Sequence, residues 1–216
     1  LFVSYFNYLG SFTTELLLVG EAIILPPTGL TATTTENEVT LNWLPPGFNP
    51  DALTFTNGEP LFVIGTSGPG KYEFAHRFTS SDLMPYSGKL LEQVSFYVYS
   101  VNSDFEVKIY IDEFAETPLI TMPVNGLTSD SWNTFALPEP LSLDQLEYLW
   151  IGYQIEVVDL EFIATVDGGP GITGSGDLVK IGETPWTTLS EFQLPYNWCI
   201  KGILNDSQVV GFWPNE

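Results

Sequence analysis

The sequence predicts an all-β protein in which two antiparallel sheets stack into a sandwich. Short segments rich in Val, Ile, Phe, Tyr and Trp recur roughly every 8–12 residues and are separated by Gly- and Pro-rich turns. In most segments apolar and polar residues alternate, so each strand has one face toward a core and one toward water. Only Ser80–Tyr86, capped by Ser80 or Ser81, and Ser142–Leu146 suggest helical turns.

The composition provides a substantial core and a strongly acidic surface. Of the 216 residues 44% are hydrophobic and 14% are aromatic, while 27 acidic residues against 6 basic ones give a net charge of −21. Phosphate binding requires clustered Lys and Arg, so the charge argues against nucleic acid and against anionic membrane surfaces. No uninterrupted apolar run reaches the roughly 20 residues that a membrane span needs.

Several features indicate a secreted, extracellular protein. The sequence starts at Leu1 without an initiator Met, which a processed N-terminus left by removal of an export signal would explain, as would a trimmed chain. Strong acidity suits a soluble protein outside the cell or at its surface.

The single Cys199 excludes an intrachain disulfide and a Cys-rich metal site, and its apolar neighbours predict a core residue.

Residues 1–25, here called the arm, are apolar and carry only two charges, Glu15 and Glu21. The arm is rich in β-forming residues and reads as two extended segments, separated near Gly10 and again near Gly20. It packs either on its own domain or, as a donor strand, on the sheet of a neighbouring subunit. The residues expected to make these contacts are Leu1, Phe2, Val3, Tyr5, Phe6, Leu16, Leu17, Leu18, Val19, Ile23, Ile24 and Leu25.

A predicted strand pair follows the arm at residues 26–48. Its second strand has Val39, Leu41 and Trp43 alternating inward, and PPTGLTATTTENEVTLNWLPP resembles the opening two strands of a fibronectin type III domain, including the buried Trp. The sandwich is expected at 49–206 and a C-terminal tail at 207–216. Its predicted strands are Tyr72–Phe78, Leu91–Val101, Phe105–Ile111, Leu119–Val124, Trp132–Leu137, Leu146–Val158, Phe162–Val166, Leu178–Ile181 and Trp198–Leu204.

Five motifs follow one another between Leu53 and Leu204: FAHRFTSSDLMPYSGKLLEQVSFYV, FEVKIYI, SWNTFALPEPLSLDQLEYLWIGYQI, DGGPGITGSGDLVKI and YNWCIKGIL. Together they resemble the jelly-roll modules of secreted bacterial adhesins and peptidases, of the cleaved-adhesin type found in gingipain haemagglutinin regions. The resemblance implies a jelly-roll β-sandwich that is extracellular and non-catalytic and binds carbohydrate or protein in adhesion, commonly with structural calcium. The arm departs from this family.

Carboxylates are densest around the glycine-rich loop. Glu156 and Asp159 are three residues apart and face opposite sides of a regular strand, and only Asp159 and Glu161 share a face. The spacing therefore argues against the carboxylate pair of a glycosidase. Oxygen ligands and carbonyls exposed by glycines suit calcium, which predicts a Ca²⁺ site at Asp167 and Asp177. The alternative is that the glycines only allow tight turns, at Gly168, Gly169, Gly171, Gly174 and Gly176.

The remaining candidates are aromatic. Tyr97, Tyr99 and Tyr110 are expected on the strand faces opposite the aliphatic residues, with Trp150 and Trp186 as further outward candidates. Such rings stack on sugars or anchor protein interfaces, unless a second layer buries them. The only histidine, His76, lies between Ala75 and Arg77 in a predicted strand and is expected to be structural.

We therefore predict a non-enzymatic extracellular subunit that self-assembles into a surface filament through its arm. The alternative is a monomeric adhesin module, stabilised by calcium, which binds a glycan or a host or cell-surface protein. Its candidate binding residues are Tyr97, Tyr99 and Trp186.

Overall fold

A computed structural model describes residues 2–6, 12–16, 28–34, 39–44, 49–65, 68–159 and 162–206. The chain divides into two compact units, Leu1–Phe48 and Asn49–Glu216.

The first unit contains two antiparallel strand pairs. β1 (Phe2–Phe6) pairs with β2 (Phe12–Leu16), so the two predicted segments of the arm pair with each other. β3 (Thr28–Thr34) pairs with β4 (Val39–Leu44), as predicted for residues 26–48. Outside the described residues lie the following predicted contact residues of the arm: Leu1, Leu17, Leu18, Val19, Ile23, Ile24 and Leu25.

The second unit is the predicted sandwich of two antiparallel sheets. The first sheet, called the β12 sheet, has the strand order β10 (Ile120–Val124), β9 (Asp104–Tyr110), β12 (Tyr148–Val157), β7 (Gly70–Thr79), β14 (Leu178–Ile181), β15 (Thr187–Thr188). The second, called the β8 sheet, has the order β5 (Ala52–Leu53), β16 (Ile200–Asp206), β8 (Lys89–Val98), β13 (Phe162–Val166), β6 (Phe62–Gly65), and β11 (Ser131–Ser142) also pairs with β8.

The core lies between the two sheets and follows the two-residue period of the strands. In β12, the alternate residues Leu149, Ile151, Tyr153 and Ile155 are buried against the β8 sheet. Tyr153 stacks on Phe96 of β8 with ring centres 4.2 Å apart. Each large apolar side chain buried in this way contributes about 1.5–3 kcal/mol, so the core accounts for most of the favourable folding energy.

The helical segments are short, and one differs from the prediction. α1 (Ser80–Leu83) continues as a 3₁₀ turn at Met84–Tyr86, and its N-cap is Thr79 rather than Ser80 or Ser81. Thr79 donates its N–H and hydroxyl to Asp82 Oδ2 at 2.8 and 2.7 Å, so the Asp82 side chain binds back to the N-cap residue, as in a capping box. The stretch 143–146 is a turn between strands instead of a helix. No helix among the described segments is long and apolar enough to cross a membrane.

Candidate ligand-binding site

The outer face of the β12 sheet carries a row of large side chains where a polar face was expected. Strand register sets Trp150 of β12 directly between Tyr110 of β9 and Arg77 of β7. These residues alternate with the core residues of their strands, so they point away from the core, as predicted for Tyr110 and Trp150. Of the two alternatives, exposed rings or rings buried by a second layer, the second holds for these two residues, because each is only 3% exposed.

Two loops explain this burial. The 112–116 loop packs Ala115 into a second, smaller apolar cluster, and Trp150 donates its indole N–H to the Asp112 carbonyl at 3.0 Å. The 182–186 loop places Trp186 against Trp150, with ring centres 5.2 Å apart. The cluster consists of Ala75, Tyr110, Ala115, Trp150 and Leu178, with Tyr148 and Trp186 packed against it.

Between the loops and the sheet lies a cleft of about 750 Å³. Trp186 is half-buried in its wall, and Phe114 is 64% exposed beside it. The exposed lining therefore offers aromatic surface beside charged groups. The residues that line the cleft are Arg77, Glu113, Phe114, Ala115, Glu116, Trp150, Gly174, Leu178, Lys180, Glu183, Thr184, Pro185 and Trp186.

Two cations form the floor of the cleft. The Arg77 guanidinium lies over the rings of Tyr148 and Trp150, 4.9 and 5.6 Å from their centres, which is cation–π distance. Lys180 Nζ lies 3.8 Å from a carboxylate oxygen of Glu73. The other oxygen of Glu73 accepts the Tyr110 hydroxyl at 2.5 Å, and burial together with this hydrogen bond raises the pKa of Tyr110. The phenol is therefore a fixed neutral donor.

Two buried N–H donors in this lining have no acceptor among the described residues. They are Nε of Arg77 and the indole Nε1 of Trp186. A buried donor without a partner costs about 1–3 kcal/mol, and native proteins usually satisfy such groups with protein, water or ligand. The cleft thus combines aromatic surface with unused hydrogen-bonding capacity, which suits a ligand with apolar faces and oxygen acceptors.

Asp167 and Asp177, the predicted calcium ligands, are buried and already hydrogen-bonded by the protein. Asp167 accepts four backbone and side-chain N–H groups, and the shortest bond is from Gly169 N at 2.9 Å. Asp177 accepts Gly174 N at 2.7 Å and both the N–H and the hydroxyl of Ser190. N–H donors point their hydrogens at the oxygens that a cation would use, so these bonds count against calcium there.

Among the described residues, no group of three or more His, Cys, Asp or Glu side chains is arranged to hold a metal ion. Glu156 pairs with Lys71 at 3.6 Å on the surface. Glu161 lies outside the described residues. A calcium ion at Asp167 and Asp177 stays a prediction.

The glycine loop (Gly168–Gly176) has positive-φ turns at Gly169 and Gly174, as the alternative interpretation expected, and it is also closely packed, which that interpretation did not predict. A Cβ on Gly176 would lie 2.3 Å from Asn197 Oδ1, and one on Gly169 would lie 2.3 Å from the Pro195 carbonyl. Gly169 also has φ +72°, a conformation that other residues rarely adopt. The glycines let the loop lie against the segment before β16, where Asn197 donates its amide to Asp167.

The structure does not bring the three predicted binding aromatics together. Tyr97 lies on the outer face of the β8 sheet, where its hydroxyl donates to Asp130 at 2.9 Å and its ring meets Trp132 edge-on. Tyr99 follows the end of β8 and is 50% exposed. Trp186 lies on the outer face of the β12 sheet, on the opposite side of the sandwich.

His76 and Cys199 are core residues, as predicted. His76 is fully buried, its Nε2 lies 2.9 Å from the Trp198 carbonyl, and Nδ1 accepts Phe55 N–H. Burial lowers the pKa of His76 to about 4, although the bond to Trp198 and nearby Asp167 oppose this shift. Burial raises the pKa of the Cys199 thiol to about 12, so the thiol is unreactive at neutral pH.

Arg77 and Lys180 are the cleft residues that the sequence interpretation missed. Their strand parity was a usable signal, because Arg77 lies opposite in phase to Phe74, His76 and Phe78 and so must face outward. Their proximity to Trp186 depends on the loops and carries no sequence signal.

Comparison of the chain with protein-family models, curated proteins and solved structures found no match.

Proposed function

We propose that this protein is a non-catalytic extracellular binding module that holds a carbohydrate in the cleft of the β12 sheet. The observation that carries the proposal is the combination of aromatic surface, at the half-buried Trp186 and the exposed Phe114, with two buried donors that lack acceptors among the described residues. A sugar has matching chemistry, because its ring presents C–H faces that stack on aromatics and its edge presents oxygens that accept hydrogen bonds.

The charges of the cleft agree with binding rather than catalysis. Glycoside hydrolysis uses a pair of carboxyl groups that flank the scissile bond, with one held protonated by its surroundings. The glutamates in this lining, Glu113, Glu116 and Glu183, are all exposed at the rim and none is buried among the aromatic rings. The resemblance to cleaved-adhesin modules, with their role in adhesion, is consistent with this proposal.

The experiment is a glycan array followed by titration of the best ligand against native protein and the Trp186→Ala variant. We expect the variant to lose about tenfold or more in affinity, since one stacking contact of 1.4 kcal/mol corresponds to a factor of ten. Trp132→Ala is the matched control, because it removes the same side chain from the outer face of the other sheet. Equal losses in both variants, or retention of full affinity in Trp186→Ala, would contradict the proposal.

A second candidate function is self-assembly through the arm, and the pairing of β1 with β2 favours it. These strands form a two-stranded sheet, so within the described residues each has one edge without a strand partner. Unpaired N–H and C=O groups on an apolar strand are a template for pairing with another molecule. Deleting residues 1–25 and measuring mass in solution tests this function, and an unchanged oligomer size would exclude it.

A further inference from the structure

Four of the six cations of this chain are paired with a carboxylate. All six basic residues lie in the described segments. Four lysines lie within 4 Å of a carboxylate oxygen, and Lys201 instead lies over the Trp132 ring at 3.7 Å from its centre. The four paired lysines are Lys71, Lys89, Lys108 and Lys180.

Arg77 differs from these four lysines. It is the only arginine in a chain with 27 acidic residues, yet no carboxylate of the described residues forms an ion pair with it. It is half-buried in the cleft, and its Nε–H has no acceptor. A guanidinium is always charged in proteins, and charge removed from water is costly without a partner. The contacts with Tyr148 and Trp150 offset only part of that cost.

The chemistry of Arg77 indicates which group would complete the site. A guanidinium matches a carboxylate because two parallel N–H···O bonds form at once, and a charged acceptor binds about twice as strongly as a neutral one. Lys180 at the same floor adds a second positive charge, although Glu73 partly neutralises it. Together, Arg77, Lys180 and Glu73 leave one net positive charge at the floor of the cleft, which is available to the ligand.

The rim limits how much negative charge that ligand can carry. Glu113, Glu116 and Glu183 line the cleft and are exposed, so they form its solvent-facing rim. At physiological salt, charges are screened over about 8 Å, so a single carboxylate at the floor is attracted by Arg77 more than it is repelled by the rim. A second or third carboxylate placed near the opening would meet the rim glutamates directly. The charge pattern favours one acidic group on an otherwise neutral ligand.

We infer that the ligand of the cleft is a glycan with a single uronic acid residue, whose carboxylate pairs with Arg77 while a sugar ring stacks on Trp186. The inference rests on the proposed carbohydrate-binding function and adds the acidic group and its partner. Arg77 is the residue that would select the acidic sugar over its neutral counterpart.

The test compares ligands that differ only in charge, on the full chain. The probes are oligosaccharides with one glucuronic or one galacturonic acid, their methyl esters, and the parent neutral oligosaccharides. We expect each binding acid to bind about tenfold or more tightly than its ester, a factor that corresponds to one charge-assisted contact. In Arg77→Gln this preference should vanish, and in Arg77→Lys it should be reduced, since an ammonium cannot form the paired contact.

Lys71→Gln is the matched control, because it removes one exposed cation from the same strand outside the cleft. It should keep the full preference for the acid. If Arg77→Gln does not fold, the acid-to-ester ratio of the native protein decides alone. Esters or neutral oligosaccharides that bind as tightly as the acids, with binding lost in Trp186→Ala, would overturn this inference and leave the proposed function standing. Failure of every acidic and neutral glycan on the array to bind would overturn both, and equal Arg77-dependent binding of an acidic peptide would overturn the sugar assignment.

Discussion

The glycine loop and the cleft are two polar regions of one sandwich, and they differ in whether their buried polar groups have hydrogen-bond partners. At the two ends of the glycine loop, Asp167 and Asp177 are buried, and each accepts several hydrogen bonds from N–H and O–H groups of the protein. In the cleft, Arg77 and Trp186 hold buried N–H groups with no described acceptor. Complete satisfaction is typical of a structural element, whereas unused donors beside exposed aromatic rings are typical of a place that binds.

The largest expected effect on stability comes from removing a buried carboxylate beside the glycine loop. Asp167→Ala leaves the N–H groups of Asn57, Gly169 and Asn197 without acceptors. We expect a loss of about 3–5 kcal/mol in the free energy of unfolding, as for removal of one partner from a buried charged network. Urea denaturation measures it. Glu183→Ala, at an exposed position, should stay within about 0.5 kcal/mol of native, and a loss below about 1 kcal/mol in Asp167→Ala would refute a structural role.

The next effect is a pH dependence from His76, which lies beside the glycine loop. Its pKa falls from the ordinary 6.5 to about 4 in the folded protein, so between these values the unfolded chain binds more protons. The free energy of unfolding should therefore decrease as the pH falls from 6.5 to 4, by about 3 kcal/mol in total, and this group should contribute no slope above pH 6.5. Urea midpoints across this range measure the slope.

A His76→Gln variant provides the control for that slope. The variant is expected to be less stable at neutral pH, but the part of the slope that belongs to His76 should disappear. Carboxylates titrate in both proteins, so the difference between the two curves isolates the imidazole. Parallel curves from pH 6.5 to 4 would show that His76 is not held neutral.

Removing the charged group from the cleft should not lower the free energy of unfolding, in contrast to removing Asp167 beside the glycine loop. Arg77→Met replaces an unpaired cation with an apolar side chain that can lie on Tyr148 and Trp150. We expect the free energy of unfolding to change by less than about 1 kcal/mol, or to rise, because a buried charge is often replaced by a well-packed apolar residue without loss. Glycan affinity should fall in the same variant. A stability loss comparable to that of Asp167→Ala would remove the contrast between the two regions.

The smallest expected effect is that of calcium. An ion bound only to the folded protein at 100 times its Kd would stabilise it by about 2.7 kcal/mol. Because N–H donors already enclose Asp167 and Asp177, we expect melting temperatures with calcium and with a chelator to agree. A higher midpoint with calcium that is lost in Asp177→Asn would instead establish the predicted ion site.

Strand existence was predictable because alternation of apolar residues reports the pleat directly. FEVKIYI places Phe105, Val107 and Ile109 in the core, as the structure confirms. Ile111, also predicted to point inward, lies beyond the end of β9 and is 40% exposed. The two-residue strands Ala52–Leu53 and Thr187–Thr188 were not predictable, since two residues show no period. The cap at Thr79 was missed although Thr79 and Asp82 have the three-residue spacing of a capping box, which is a readable sequence signal.

The candidate site was predictable only in its chemistry. Aromatic residues of the outer strand phase pointed to binding, but they did not show that Tyr97 and Trp186 lie on opposite sides of the sandwich. Likewise, the composition of the glycine loop suited both tight turns, the favoured interpretation, and calcium. Asp167 takes donors from the segment before β16, since Asn197 lies 30 residues later, and Asp177 takes donors from Ser190, 13 residues later.

By itself the sequence determined the all-β class, the two stacked sheets and which residues of each strand point inward, because these follow from a local period of two. Three features became known from the tertiary structure. Loops cover the outer face of the β12 sheet, and Arg77 packs on Tyr148 and Trp150 without a carboxylate partner among the described residues. Asp167 and Asp177 are enclosed by N–H donors of the protein. These outcomes depend on which loops fold over which strands. Loop packing of this kind is set by contacts between residues far apart in the chain, and no local pattern encodes it.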